Sequence, residues 1–132
     1  MGERISLPPA LEGIFFAFRW DKQKVWQLNT PVEPMPLAAL TWQLDLPVWS
    51  TEPPRPLFNL KPRQVIEQPS GFPDHWSRIL SASVAFPLEL FLQGNQWIIL
   101  DGYHRLAQHY RCATEQVPVR KHPASVLPAI MA

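Results

Sequence analysis

Trp97-Ile-Ile-Leu-Asp101-Gly-Tyr-His-Arg105-Leu-Ala-Gln-His-Tyr110 runs a strand into a glycine turn and the turn into an amphipathic helix. That order brings the first-turn amides of the helix, with His104 and Arg105 beside them, to the mouth of a sheet, where an anion is favoured. Trp97 to Leu100 is apolar on both faces, so this strand must be central or covered on each side. Just upstream, Ala85 to Leu92 alternates around Glu89, and Gly94-Asn95 suits a tight primed turn, which predicts a hairpin. Downstream, Leu106, Ala107, Tyr110 and Ala113 fall at i, i+1, i+4 and i+7, one buried stripe on a helix from about Tyr103 to Cys112. Gln116 to Lys121 carries Pro118 and is predicted to be a short strand at a sheet edge.

Working toward the N-terminus, Phe72 to Leu80 reads as a short helix with Asp74 as N-cap and Trp76, Ile79 and Leu80 turned inward. His75 and Arg78, at i and i+3, then share its outer face, either as added positive charge beside a site or as a solvated surface. Lys61 to Gln68 is a second short helix with proline at the first helical position and Val65 and Ile66 on its buried side. Ser50 to Pro56 is a proline-rich loop. Leu37 to Leu44 makes one or two helical turns that end before Pro47, and Asn29 to Pro36, broken by prolines, is a connector. Gly13 to Trp20 and Val25 to Leu28 predict an aromatic hairpin joined by Asp21 to Lys24. Its aromatic residues exceed what one face of a small hairpin can cover, so they pack on the body or form a homodimer surface.

These elements predict an α+β fold, a small mixed or antiparallel sheet with short helices, in a single domain of 132 residues. Residues 1–30 are a hairpin extension and residues 122–132 an unassigned tail. A hydrophobic fraction of 46% with 6 Trp supplies a real core, while 16 Pro disfavour long helices and wide sheets. Lys+Arg 12 against Asp+Glu 11 gives a net charge of +1, which does not indicate nucleic acid as a partner. One cysteine, Cys112, excludes an internal disulfide and is too few for a zinc ribbon. It also stands at the helix's C-terminal end, which disfavours a thiolate nucleophile. The absence of a signal-like N-terminus or a run near the ~20 apolar residues of a membrane span leads to the expectation of a cytoplasmic protein with no membrane partner.

The site chemistry follows from Asp101 to Arg105. Asp101 suits an N-cap, and Gly102 suits a sharp bend or close approach by a ligand. Arg105 offers a planar fork for phosphate oxygens and His104 a titratable donor. The same residues also fit a plain capped turn, with Arg105 paired to Asp101 or Glu89 and His104 solvated. His104 and His109 are five apart, off a common helical face, so no metal site is expected from them. Asp45, flanked by Trp42 and Trp49, is either a catalytic carboxylate in an apolar wall or a turn residue facing solvent.

The run Phe86-Pro-Leu-Glu-Leu-Phe-Leu92, Gly94-Asn95, Trp97-Ile-Ile-Leu-Asp-Gly-Tyr-His-Arg-Leu-Ala107 and Val117-Pro-Val119 resembles the ParB/sulfiredoxin superfamily over residues 86–121, with Pro36 to Leu40 similar to its opening segment. The resemblance implies a core over residues 36–121 and a phosphate cradle at Gly102, His104 and Arg105, with Tyr103 at the position where relatives place their reactive residue. Sulfiredoxins have cysteine there and ParB clamps glutamate, so neither sulfinic acid reduction nor the clamp's CTP hydrolysis carries over to Tyr103. Eleven residues follow Lys121, too few for ParB's DNA-reading helices. Similar Asp-Gly-His-His-Arg proteins are ATP- or ADP-dependent serine kinases with an upstream carboxylate, for which Asp45 is the candidate.

The expected function is therefore binding of a nucleotide (ATP, ADP or CTP with Mg²⁺) or another phosphorylated small molecule at Gly102, Tyr103, His104 and Arg105. If the protein is an enzyme, the expected class is phosphoryl transfer or NTP hydrolysis, with Asp101 or Asp45 as base or metal carboxylate. The alternatives are a non-catalytic interaction or dimerisation module and a ParB-like nuclease. Neutral net charge and the lack of a clustered carboxylate motif weigh against the nuclease.

Overall fold

The computed structural model describes residues 7–15, 20–51 and 58–131. Among them, four strands form one mixed sheet in the order β1-β4-β2-β3: β1 (Val32–Pro36), β2 (Leu88–Gln93), β3 (Gln96–Asp101) and β4 (Gln116–His122). The α+β class expected from the sequence is the one observed. β2 and β3 form the expected hairpin, antiparallel through Gln93↔Gln96, with Gly94 in the left-handed region at φ 60°. β4 pairs antiparallel with β1 and parallel with β2.

Two assignments at the sheet require correction. Asn29 to Pro36 is not only a connector, because Val32–Pro36 is a strand, and β4 lies inside the sheet rather than at its edge. Both exceptions have one cause. Pro118 of β4 stands opposite Pro34 of β1, a pair in which neither residue has an N–H to offer, and the register with β2 starts only at Val119. The prolines sit where the ladder needs no donor. β3 is an edge strand, yet both its faces are covered: Ile99 belongs to one apolar cluster and Ile98 and Leu100 to another. Buried Gln43 closes the open edge. Its Nε2 donates to the Trp97 carbonyl at 3.0 Å, and its Oε1 accepts from Ile99 N–H at 2.9 Å, as a neighbouring strand would.

The first face of the sheet carries α2 (Pro62–Glu67), α3 (Pro73–Ser81), α4 (Tyr103–Arg111) and two 3₁₀ segments, Leu37–Ala39 and Thr41–Asp45. Leu40, Leu44, Val65, Ile79, Leu88, Leu106 and Val119 fill this core. α2 begins with proline at its start as predicted. In α3 the N-cap is Phe72, with Asp74 in the first turn, and Leu80 is exposed rather than turned inward. In α4 the buried stripe is Leu106, Ala107 and His109. Tyr110 is exposed, and Ala113, at φ 55°, lies past the helix end where the left-handed residue of a C-terminal cap belongs.

The second face is covered by the chain ends. α1 (Lys22–Trp26) replaces the predicted second hairpin strand because Asp21 is an N-cap, its carboxylate accepting from Gln23 N–H at 2.9 Å. Gly13 to Phe15 is turn, and residues 16–19 of the expected first strand lie outside the described residues. The tail supplies α5 (Leu127–Ile130), whose Ile130 packs with Val25, Phe91, Ile98 and Leu100. Asp21 N–H donates to the Ile130 carbonyl at 2.7 Å, and Trp20 bridges to Met131.

Beside this cluster lies a buried ionic network. Glu89 accepts from His122 Nε2 at 2.7 Å, His122 Nδ1 meets Thr30 Oγ1 at 2.7 Å, and Arg120 stands 3.4 Å from Glu89. Arg120 also donates to the carbonyls of Trp26, Leu28 and Thr30, so it staples the segment after α1 to the sheet. Removing one member leaves the others buried and uncompensated. Glu89→Ala is expected to lower stability by about 3 kcal/mol or more, with Glu89→Gln, which keeps an acceptor for His122, losing less. Urea midpoints measure both, and an unchanged midpoint for Glu89→Ala would refute the network.

Candidate functional site: a cleft at the start of α4

β3 ends at Asp101 and α4 starts at Tyr103, so the chain reverses within Gly102. Its φ is 122°, and a Cβ there would lie 2.7 Å from Leu88 Cδ2. Glycine is required on both counts. The close approach foreseen for a ligand is made by the protein itself, through Leu88 and the Arg105 guanidinium.

Asp101 is not the N-cap: that position is Gly102, with no side-chain capping bond. Asp101 instead accepts at Oδ2 from Arg105 Nη2 at 3.0 Å and from Trp26 Nε1 at 3.0 Å. Arg105 Nη1 donates to the Pro87 carbonyl. Of the two roles open to Arg105 in the sequence, the structure shows pairing with Asp101, and its fork joins the start of β2 to the end of β3.

With no capping side chain, the amides of Tyr103, His104 and Arg105 have no acceptor among the described residues; the first helical bond is Leu106 N–H to the Gly102 carbonyl at 2.8 Å. These residues line a cleft of about 370 Å³ with Trp49, Arg78, Ser81, Ala82, Leu100 and Asp101. Arg78 is exposed and its guanidinium has no partner among the described residues. Position 78 on the outer face of α3 thus puts a cation on the cleft rim.

His75, predicted on the same outer face, is half-buried behind the cleft wall, against Trp49 and His104. The Trp49 indole is buried, and both His75 and His104 stack on it, with centroids at 4.6 and 4.2 Å and interplanar angles of 8° and 15°. The two imidazoles lie side by side, His75 Nδ1 to His104 Nε2 at 3.2 Å, and His75 Nε2 bonds the Ser50 carbonyl at 3.0 Å. Burial, then Arg78, then His75 push His104 down to about 3. The titratable donor expected near neutral pH is therefore an uncharged imidazole. Nothing local in the sequence joins Trp49, His75 and His104, because three separate elements deliver them.

Tyr103 faces the other way. Its hydroxyl donates to Gln43 Oε1 at 3.4 Å, its ring meets Phe15 edge-on at 6.1 Å, and burial holds its pKa well above the ordinary phenol value. Asp45 is not brought to the cleft. It is exposed and paired with Arg63, Nε to Oδ1 at 2.6 Å, and the same guanidinium reaches the Tyr110 hydroxyl at the far end of α4. Asp45 and Asp101 therefore serve opposite ends of a nine-residue helix, about 13 Å long, and do not fit a shared Mg²⁺ site. The exposed Cys112 follows that far end. Buried His109 has no hydrogen-bond partner for either nitrogen among the described residues; burial, then Arg105, lower its pKa.

No protein-family model matches the chain, and comparisons with curated proteins and with solved structures also find no match. Among the described residues, no helix is long and apolar enough to cross a membrane.

The depressed His104 titration makes a pH prediction. An unfolded histidine titrates near 6.5, so below that pH the unfolded chain takes up a proton that folded His104 refuses. The contribution to stability is complete above pH 6.5 and is lost as pH falls from 6.5 toward 3, by at most about 1.4 kcal/mol per pH unit; His109 acts with the same sign. His104→Gln should therefore show a shallower decline of unfolding free energy between pH 6 and pH 4 than the parent. Parallel declines in urea titrations would show that His104 titrates normally.

Proposed function

We propose that the cleft at the start of α4 binds the phosphate of a nucleotide or of another phosphorylated small molecule. The observation that carries this reading is the free amide end of α4, opening into a cleft whose rim holds an unpaired arginine. Uncapped amides and a nearby guanidinium both favour an anion. The resemblance to ParB and sulfiredoxin domains supports the same position, Gly102 to Arg105. The division of labour differs from the sequence expectation: Arg78 supplies the cation, while Arg105 holds the turn. The reading is one of binding, since Tyr103 is turned away and Asp45 stands elsewhere. Phosphate, ATP, ADP and CTP, with and without Mg²⁺, form the test panel for thermal unfolding. A ligand at a hundred times its Kd stabilises by about 2.7 kcal/mol, which corresponds to a melting shift of roughly 10 °C. Arg78→Ala should abolish the shift and leave the unliganded melting temperature unchanged. Absence of any shift across the panel would overturn the proposal.

A second reading, an apolar interaction or homodimer surface, is favoured by Trp26 and Phe86. They are 49% and 65% exposed and flank a cavity of about 520 Å³. The bond to Asp101 holds the Trp26 indole in place, so less side-chain freedom is lost on contact. Light scattering at high concentration should then show dimers that Trp26→Ala disperses. A strict monomer would remove the homodimer form of this reading; Phe18, within the expected Gly13 to Trp20 strand, lies outside the described residues.

A further inference from the structure

The His75 and His104 pair decides what kind of anion the cleft accepts; this inference rests on the anion-binding reading above. The ring centroids are 5.5 Å apart, the facing nitrogens 3.2 Å apart and the planes 13° apart, so the nitrogens point at each other nearly along the line of centres. Such a contact holds one proton between two nitrogens. It cannot hold a metal ion, which needs both lone pairs to converge on a third point.

The direction of that proton is fixed from outside the pair. A backbone carbonyl only accepts, so His75 Nε2, at 3.0 Å from the Ser50 carbonyl, carries the hydrogen. In a neutral His75, Nδ1 is then a lone pair, and His104 Nε2–H must donate to it. A neutral His104 with its proton on Nε2 has a bare lone pair on Nδ1. That nitrogen has no hydrogen-bond partner among the described residues, and His104 is part of the cleft wall. Stacking on Trp49 prevents the ring from turning away.

We infer that His104 presents Nδ1 to the cleft as a hydrogen-bond acceptor, oriented by His75, and that the cleft therefore selects oxyanions carrying a hydroxyl, such as hydrogen phosphate or a hydroxylated phosphomonoester, over oxyanions without one. A hydroxyl-bearing anion satisfies the amides of α4 with its oxygens and Nδ1 with its O–H. A fully deprotonated oxyanion sets an oxygen lone pair against the nitrogen lone pair and leaves the acceptor unsatisfied. His104 is thus a specificity residue and His75 a positioning residue.

Hydrogen phosphate and sulfate test this directly, since they match closely in size and tetrahedral shape and only the first has a hydrogen to give. At pH 8 and matched ionic strength, titrations followed on the backbone amide signals of residues 103–105 should give a Kd for phosphate about tenfold or more below that for sulfate. His104→Phe, which keeps the stack, should bring the two values together. His75→Phe should do likewise, whereas His75→Gln, which offers a donor to Ser50 and an acceptor to His104, should keep most of the preference. Imidazole ¹⁵N shifts of the parent protein read the tautomer without any variant, and should show His104 protonated at Nε2. Equal affinities, or a proton on Nδ1, would overturn the inference and leave anion binding standing. Failure of both anions to bind would overturn the two together.

Discussion

The arginine at position 105 joins the parts of this fold that matter for the cleft. Its guanidinium donates to the Pro87 carbonyl just ahead of β2 and to Asp101 at the end of β3, while its own backbone lies in the first turn of α4. One side chain thereby holds the helix start against two strand ends. The partly buried pair with Asp101 is shielded from water, so it is screened less than a surface ion pair. Asp101 in turn fixes the Trp26 indole, extending the clamp to the end of α1. The guanidinium of Arg105 is thereby engaged within the fold, and Arg78 on α3, without a partner among the described residues, stands on the cleft rim.

The sheet solves the problem of covering two faces with little chain by using the termini. The helices between residues 62 and 111 occupy one face; α1 and α5, from the two ends of the described chain, share the other. Short segments without much apolar area need additional fastening. The Glu89, His122 and Arg120 network provides it by taking three carbonyls of residues 26–30 onto one guanidinium. Burying these charges is tolerable because each has a partner, and the network places the polar part of the second face beside the apolar cluster around Phe91.

How much of this was legible in the sequence depended on how local each cause was. The β2–β3 hairpin, the proline start of α2 and the strand-to-helix passage at Gly102 follow from neighbouring residues, and they stand as read. Asp21 misled because a polar residue between aromatic runs suits a hairpin turn as well as a helix cap, and only the Gln23 bond distinguishes them. Pro118 misled because proline is tolerated inside a sheet when it faces another proline, a condition set by Pro34 more than eighty residues away. At the cleft, Gly102 and His104 were in view, but the charge state of His104 was not. That state depends on burial, to which the stacked Trp49 contributes, and then on Arg78 and His75, all of which arrive from other elements.

Position 103 shows how orientation, and not residue type alone, limits the chemistry. The residue at this point is the first of α4 and is among those lining the cleft, yet its ring meets Phe15 edge-on and its hydroxyl reaches Gln43 at the closed edge of β3. Its hydroxyl adds a third contact to the Gln43 side chain that already pairs with Trp97 and Ile99. Burial keeps it a neutral phenol, so it supplies neither a nucleophile nor a base to the cleft. Here the side chain of residue 103 is given to the sheet edge, and the polar side chains lining the cleft are those of Arg78, Ser81, His104 and the Asp101–Arg105 pair.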